Sequence, residues 1–195
     1  STVRQPGQTP ATTRGKPNPV IKQLGIADSR VRRLIRPTAL RISGAVAVLY
    51  AARGLATLGF GQTTGLASPV WPAAGVAFAA ALRWRWRALP GIFVGSFAVN
   101  VLWLTPLDGP EPQTWFVAAA IGVGAVLEAA AGATLVHRFV GPVRRLDTPR
   151  AVMLTLGLGG LAASTIAPTI GVAAQLTAGL LGTSQAPLGW LTWWV

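Results

Sequence analysis

The sequence predicts an all-α, polytopic transmembrane helix bundle with five complete spans, the start of a sixth and a cytoplasmic N-terminus. Three observations carry that expectation. The chain is 51% hydrophobic and only 11% charged, whereas a soluble domain carries roughly a quarter of its residues as charges. Its apolar residues run in stretches of the length that crosses a hydrocarbon core of about 30 Å. Its basic residues fall in clusters that abut those stretches, as topology-setting charge does.

Residues 1–29 hold Pro6, Pro10, Pro17 and Pro19 among Thr, Gln and Gly, a composition that cannot bury enough apolar surface to offset its ordering entropy. They read as a flexible cytoplasmic tail. They have no apolar stretch that would make a cleavable signal peptide. Residues 30–41 alternate Arg30, Arg32, Arg33 and Arg36 with Val31, Leu34, Ile35 and Leu40, which suits a short basic segment lying on an anionic leaflet. Pro37 divides it from the first span, at 42–60. Span two covers 64–82, with Pro69 and Pro72 near its start and read as kinks. Span three is 88–105, opened by Pro90 and Gly91, and span four is 115–136. The apolar region 151–181 exceeds one straight crossing and carries Pro168. Proline removes a backbone donor and kinks a helix, so a bend or break is expected at 165–171, with the remainder capping the outer face. A sixth span starts near Pro187.

With the tail inside, the loops at 83–87 and 137–150 are cytoplasmic, and those at 61–63, 106–114 and 182–186 are outside. Every Lys and Arg except Arg53 then lies inside, while Asp108 and Glu111 lie outside, as the positive-inside rule requires. Trp84 and Trp86 fall at the inner interface, and Trp103, Trp115 and Trp190 at the outer one. The net charge of +12 would suggest nucleic acid in a soluble protein. Its placement beside apolar spans assigns it instead to membrane lipids. The chain has no cysteine and one histidine, so no disulfide framework or thiolate metal site is available, and no metal or cofactor is expected.

Arg53 and Glu128 are the two ionisable residues well inside a span, where charge demands a partner or a water-filled cavity. They stand about 16 Å and about 12 Å from their cytoplasmic ends at the standard helical rise, within reach of each other. They read either as a structural ion pair or as a ligand-binding or proton-sensitive pair. Tyr50, Asn100 and Gln175 share that slab, as an extension of the site or as interhelical hydrogen bonds. Trp71, beside Pro69 and Pro72, is either part of a kink or the wall of a binding site. His137, at the inner end of span four, suits the cation-favouring helix C-terminus. Gly91 and Gly95 form a GxxxG. No nucleophile–base arrangement, phosphate loop or metal motif is visible, and no enzyme is expected.

SPVWPAAGVAFAAAL at 68–82 followed by RWRWRALPGIFVGSFAVN at 83–100 resembles the MASE1 family, an integral membrane sensory domain at the N-terminus of bacterial histidine kinases and diguanylate cyclases. AVLEAAAGATLVHRF at 125–139 is similar to that family's Glu-bearing span, and WLTWWV at 190–195 to the start of its last span. The resemblance covers 42–195. It implies a non-catalytic signal-input module in the bacterial inner membrane, coupled to a C-terminal kinase or cyclase output domain that this sequence lacks. The alternative is an accessory subunit packed against other subunits of a larger membrane complex. A transporter component ranks last, since no repeat relates the two halves.

Overall fold

The computed structural model describes residues 37–59, 71–105, 109, 111–141 and 147–194, and these residues are helical with no strand among them. Six helices follow in order: α1 (Pro37–Gly59), α2 (Pro72–Trp84), α3 (Leu89–Leu104), α4 (Pro112–Phe139), α5 (Pro149–Thr177) and α6 (Ala186–Trp194). Helices α4 and α5, and the 37–57 stretch of α1, are long and apolar enough to cross a membrane, while α3 is a shorter apolar helix.

Proline sets most of the helix starts. It stands at the first or second position of α2, α3, α4 and α5 and opens α1 at Pro37. There its missing N–H removes no hydrogen bond, and its fixed φ is already helical. Pro72, expected to kink a span running from 64, therefore begins α2 instead. Pro69 and the rest of the proposed first part of that span lie outside the described residues, as do the tail and residues 30–36. The five residues from Pro37 to Arg41 belong to α1 rather than to a separate surface segment. At α5 the start is reinforced by Thr148, whose hydroxyl accepts from the Ala151 amide at 3.2 Å, a side-chain N-cap.

The packing order places α4 at the centre. It touches α2, α3 and α5, while α1 lies against α2 and α3, and α6 lies against α5. Small residues make these contacts possible. The core joins Val46 and Tyr50 of α1, Ala73, Ala77, Ala80 and Ala81 of α2, Ile92 of α3, and Ala129 and Ala133 of α4. Between lipid-solvated helices there is little hydrophobic drive, so close van der Waals approach has to hold them together. The tightest approach is at the GxxxG. A Cβ on Gly91 would land on the Ser43 carbonyl, and one on Gly95 would come within 2.8 Å of the Ala47 oxygen and 2.9 Å of the Tyr50 Cβ. On its other side α3 meets α4 through aromatic rings: Phe93 stacks on Phe97 at 5.8 Å, and Phe97 meets Trp115 at 5.9 Å.

Region 151–181 holds a helical run that continues from Pro149 to Thr177 and does not break at 165–171. Its irregularity lies upstream. Residues Leu156–Ala162 are wound as π-helix and Ala163–Thr165 as 3₁₀-helix before α geometry resumes at Ile166. Pro168 cannot bond the carbonyl four residues before it and its ring crowds that turn, so the disturbance falls on the preceding residues.

Replacing Gly95 by Ala drives a methyl into the α1 backbone and is expected to destabilise the bundle by about 1–3 kcal/mol, the usual cost of overpacking. Gly44, with nothing within 4 Å of an added Cβ, serves as the control. Gly44→Ala is expected to be neutral or to stabilise by up to about 1 kcal/mol through helix propensity. Equilibrium unfolding of both variants in mixed micelles checks the contrast.

Candidate functional site

The geometry of α1 and α3 buries a polar cluster. Tyr50 lies one turn beyond Val46 on α1, and its side chain is nearly fully buried. Trp71, the residue that precedes α2, donates its indole N–H to the Tyr50 hydroxyl at 3.3 Å. Because Gly54 has no side chain, the Trp71 ring fits against α1 there. Ser96 faces the same Tyr50 hydroxyl from α3, and it is one of two fully buried polar side chains among the described residues, with Thr114. Asn100, one turn further on, donates to the Ser96 carbonyl at 2.8 Å and reaches the Ser96 hydroxyl at 3.4 Å. A buried chain of this kind is costly unless its members are paired, and these bonds pair them.

Glu128 approaches from α4. Its carboxyl lies within electrostatic reach of the Tyr50 hydroxyl, and its Oε2 accepts from the backbone amide of Ala167 at 3.3 Å. Ala167 is the second residue after the 3₁₀ turn and precedes Pro168, at the start of the α-helical second half of α5. A carboxylate there meets both an amide without an α-helical partner and the positive end of a helix dipole.

Two carbonyls of the same irregular stretch take side-chain donors. Leu161 O accepts from the Ser164 hydroxyl at 3.0 Å and from the Trp194 indole at 3.2 Å, and Ala162 O accepts from the Thr165 hydroxyl at 2.9 Å. Trp190 of α6 donates to the Thr169 hydroxyl at 3.0 Å and stacks on Trp194 at 5.6 Å. The Trp193 ring lies on Gly171, where a Cβ would collide with it. Trp190 meets Thr169 and Trp194 meets Leu161, so α6 runs antiparallel to α5.

Several expected residues therefore come together and others do not. Trp71, Tyr50 and Asn100 share one hydrogen-bonded cluster, and Glu128 stands beside it. The Arg53–Glu128 ion pair is not formed among the described residues. Arg53 is exposed on α1, which packs against α2 and α3, whereas Glu128 engages α5. Gln175 is half-buried on α5 beyond Pro168, and its carbonyl accepts from the Leu180 amide at 2.9 Å, away from the cluster's hydrogen bonds. Pro168 is fully buried. His137, at the C-terminal end of α4, serves a neighbouring helix. Its Nε2 lies 3.2 Å from the Leu82 carbonyl, one of the unpaired oxygens that end α2. Ser96 escaped the sequence reading, although its place one turn before Asn100 and next to Gly95 was a usable signal.

The MASE1 family model, which describes a membrane sensory domain, matches residues 40–195. No curated protein and no solved structure matches this chain.

Glu128→Ala leaves the Ala167 amide without its acceptor and is expected to cost about 1–3 kcal/mol, the penalty for a buried unpaired donor. Glu128→Gln retains an acceptor oxygen and is expected to cost less than about 1 kcal/mol. Unfolding in micelles together with amide exchange at Ala167 distinguishes the two. Tyr50→Phe removes the Trp71 acceptor, and a Tyr50→Phe, Trp71→Phe double-mutant cycle is expected to show coupling of about 1 kcal/mol.

Proposed function

The chain belongs to the MASE1 family, and from that premise we propose that it is the non-catalytic input module of a membrane sensor, reading its signal at the Tyr50–Trp71–Ser96–Asn100 cluster. The signal is a small polar ligand, or a change in membrane state, that competes for those hydrogen bonds. The Glu128–Ala167 bond carries this reading. It ties the wall of the cluster to the one long helix, among the described residues, whose backbone departs from α geometry in mid-course. A helix with a π–3₁₀ junction has two nearby ways to wind, and π segments recur at functional positions.

A module of this kind works by population shift. An occupant that favours one winding of α5 must bind it better than the other, and the difference in affinity is all that is available to drive the change. Movement of α5 is passed to α6 through Trp190, Trp193 and Trp194. In the proposed topology the chain crosses the membrane five times and α6 begins a sixth crossing. The N-terminus and the arginine-rich turn at 83–87 lie in the cytoplasm of a bacterial cell, which puts Lys and Arg on that side. The direction of α6 along α5 would then deliver the movement toward a cytoplasmic output domain, a kinase or a cyclase.

Two measurements test this. Native mass spectrometry of the protein extracted gently from its own membrane reads the intact chain: a mass above the 20.2 kDa of this sequence by that of an output domain supports the sensor. A short chain in fixed ratio with a large membrane complex would overturn it in favour of an accessory subunit. The second uses the absence of cysteine to place spin labels cleanly at the exposed Leu156 and Leu188. The sensor is expected to show two interlabel distances whose ratio shifts at least about threefold in Glu128→Gln or Ser96→Ala, whereas a static scaffold gives one unmoved distance.

A further inference from the structure

The sequence RWRWR at 83–87 joins α2 to α3 through a single 3₁₀ turn, Arg85–Arg87. All five side chains are exposed. The two outer arginines lie near indole rings, Arg83 at 6.0 Å from the Trp84 ring centre and Arg87 at 5.5 Å from that of Trp86, a cation–π arrangement. The turn is anchored at both sides: the Ser43 hydroxyl donates to the Arg87 carbonyl at 2.8 Å, and His137 is bonded to the Leu82 carbonyl.

Arg85 differs from its neighbours. Its φ of +52° makes it the only non-glycine residue with positive φ among the described residues; with a ψ of −134° at the end of α2 it holds a backbone conformation that glycine adopts most readily. Its side chain lines a cavity of about 160 Å³ between the turn and the last turns of α4, together with Trp86, Leu89, Thr134 and His137. That is roughly ten times or more the ~10–15 Å³ that admits a water. The cavity combines an arginine, a histidine and a hydroxyl with apolar walls. Across 71–105 and 129–141 the sequence has no Asp or Glu to neutralise it. It also lies beside the exposed tryptophans that mark a bilayer's headgroup level.

The geometry points to an anionic phospholipid headgroup as the occupant of this cavity, with Arg85 holding the phosphate and the apolar wall of Leu89 and Trp86 lying along the first carbons of the acyl chains. The charge complements a phosphate, the apolar wall suits a lipid rather than a free anion, and the position is where headgroups reside. The strained backbone at Arg85 persists where glycine would be relaxed, the pattern in which local strain serves a site. The site is separate from the Tyr50 cluster and does not depend on the sensor reading.

The test is lipid retention by the purified full chain in nanodiscs and micelles, read by native mass spectrometry with phosphatidylglycerol and phosphatidylcholine in competition. The wild type is expected to keep phosphatidylglycerol at least about five-fold in preference, the effect of about one basic side chain near an anionic surface. Arg85→Gln is expected to abolish that preference, while Arg150→Gln, an exposed arginine at the start of α5, leaves it intact. Arg85→Gly provides a check independent of folding damage: it relaxes the positive φ, so thermal stability is expected to hold or rise while the preference is lost. Equal retention of the two lipids would overturn the assignment, as would an equal fall in Arg150→Gln or undiminished preference in Arg85→Gly. Displacement of the lipid by millimolar inorganic phosphate alone would also overturn it, in favour of a free-anion site.

Discussion

Within a bilayer no water is at hand to take up an unpaired backbone group, so each amide or carbonyl released from a helical ladder must find a protein partner. The structure turns on one such release. Between Leu156 and Pro168 the ladder of α5 passes from π to 3₁₀ winding and back to α, and three backbone groups there are met from three directions. Glu128 on α4 takes the Ala167 amide, Ser164 and Thr165 take carbonyls from within the helix, and Trp194 takes Leu161 O from α6. The irregular helix is thereby made the element through which α4 and α6 are joined. An unbroken α5 would have left Glu128 a half-buried carboxyl without this donor.

The rest of the bundle is arranged so that such a helix can be held without bulky packing. Ala and Gly line the contacts of α1, α2, α3 and α4, and close approach substitutes for the hydrophobic drive that lipid removes. That smoothness leaves few side chains able to impose specificity. The few polar ones, Tyr50, Trp71, Ser96 and Asn100, therefore have a large share in setting how α1 and α3 sit against the start of α2.

Much of this was legible in the sequence. Composition gave the helical membrane class, and the clusters of arginine marked the turn at 83–87. Tyr50, Asn100 and Gln175 were visible as polar groups at membrane depth, Trp71 as part of a kink or a site wall, and Glu128 as a carboxylate that needed a partner. The partner itself was hidden for a physical reason. Reading by residue type pairs Glu128 with the other charged side chain in the slab, Arg53, because a backbone amide carries no letter of its own; only the irregular winding ahead of Pro168 makes Ala167 a donor. Proline misled in the same way at Pro72, where one residue type serves both to start helices and to kink them. What separates the two roles is whether the preceding residues are already helical.

The same need to pair backbone groups bears on how a carboxylate and an irregular helix would work together in the proposed input role. A regular helix responds to a local push by moving as a rod, because every residue of its ladder resists rewinding. In the proposed reading, a helix with a π–3₁₀ junction would hold its alternatives at the junction, and the carboxylate bonded there would select among them. If Glu128 were to lose the Ala167 amide to a ligand or to a change in its own hydrogen bonding, the amide would have to return to the ladder. The carbonyls of Leu161 and Ala162 would then be bonded anew, and Trp194 would lose its acceptor. The three tryptophans of α6 are seated on this segment, at Leu161, Thr169 and Gly171, so rewinding would displace α6 in the same event.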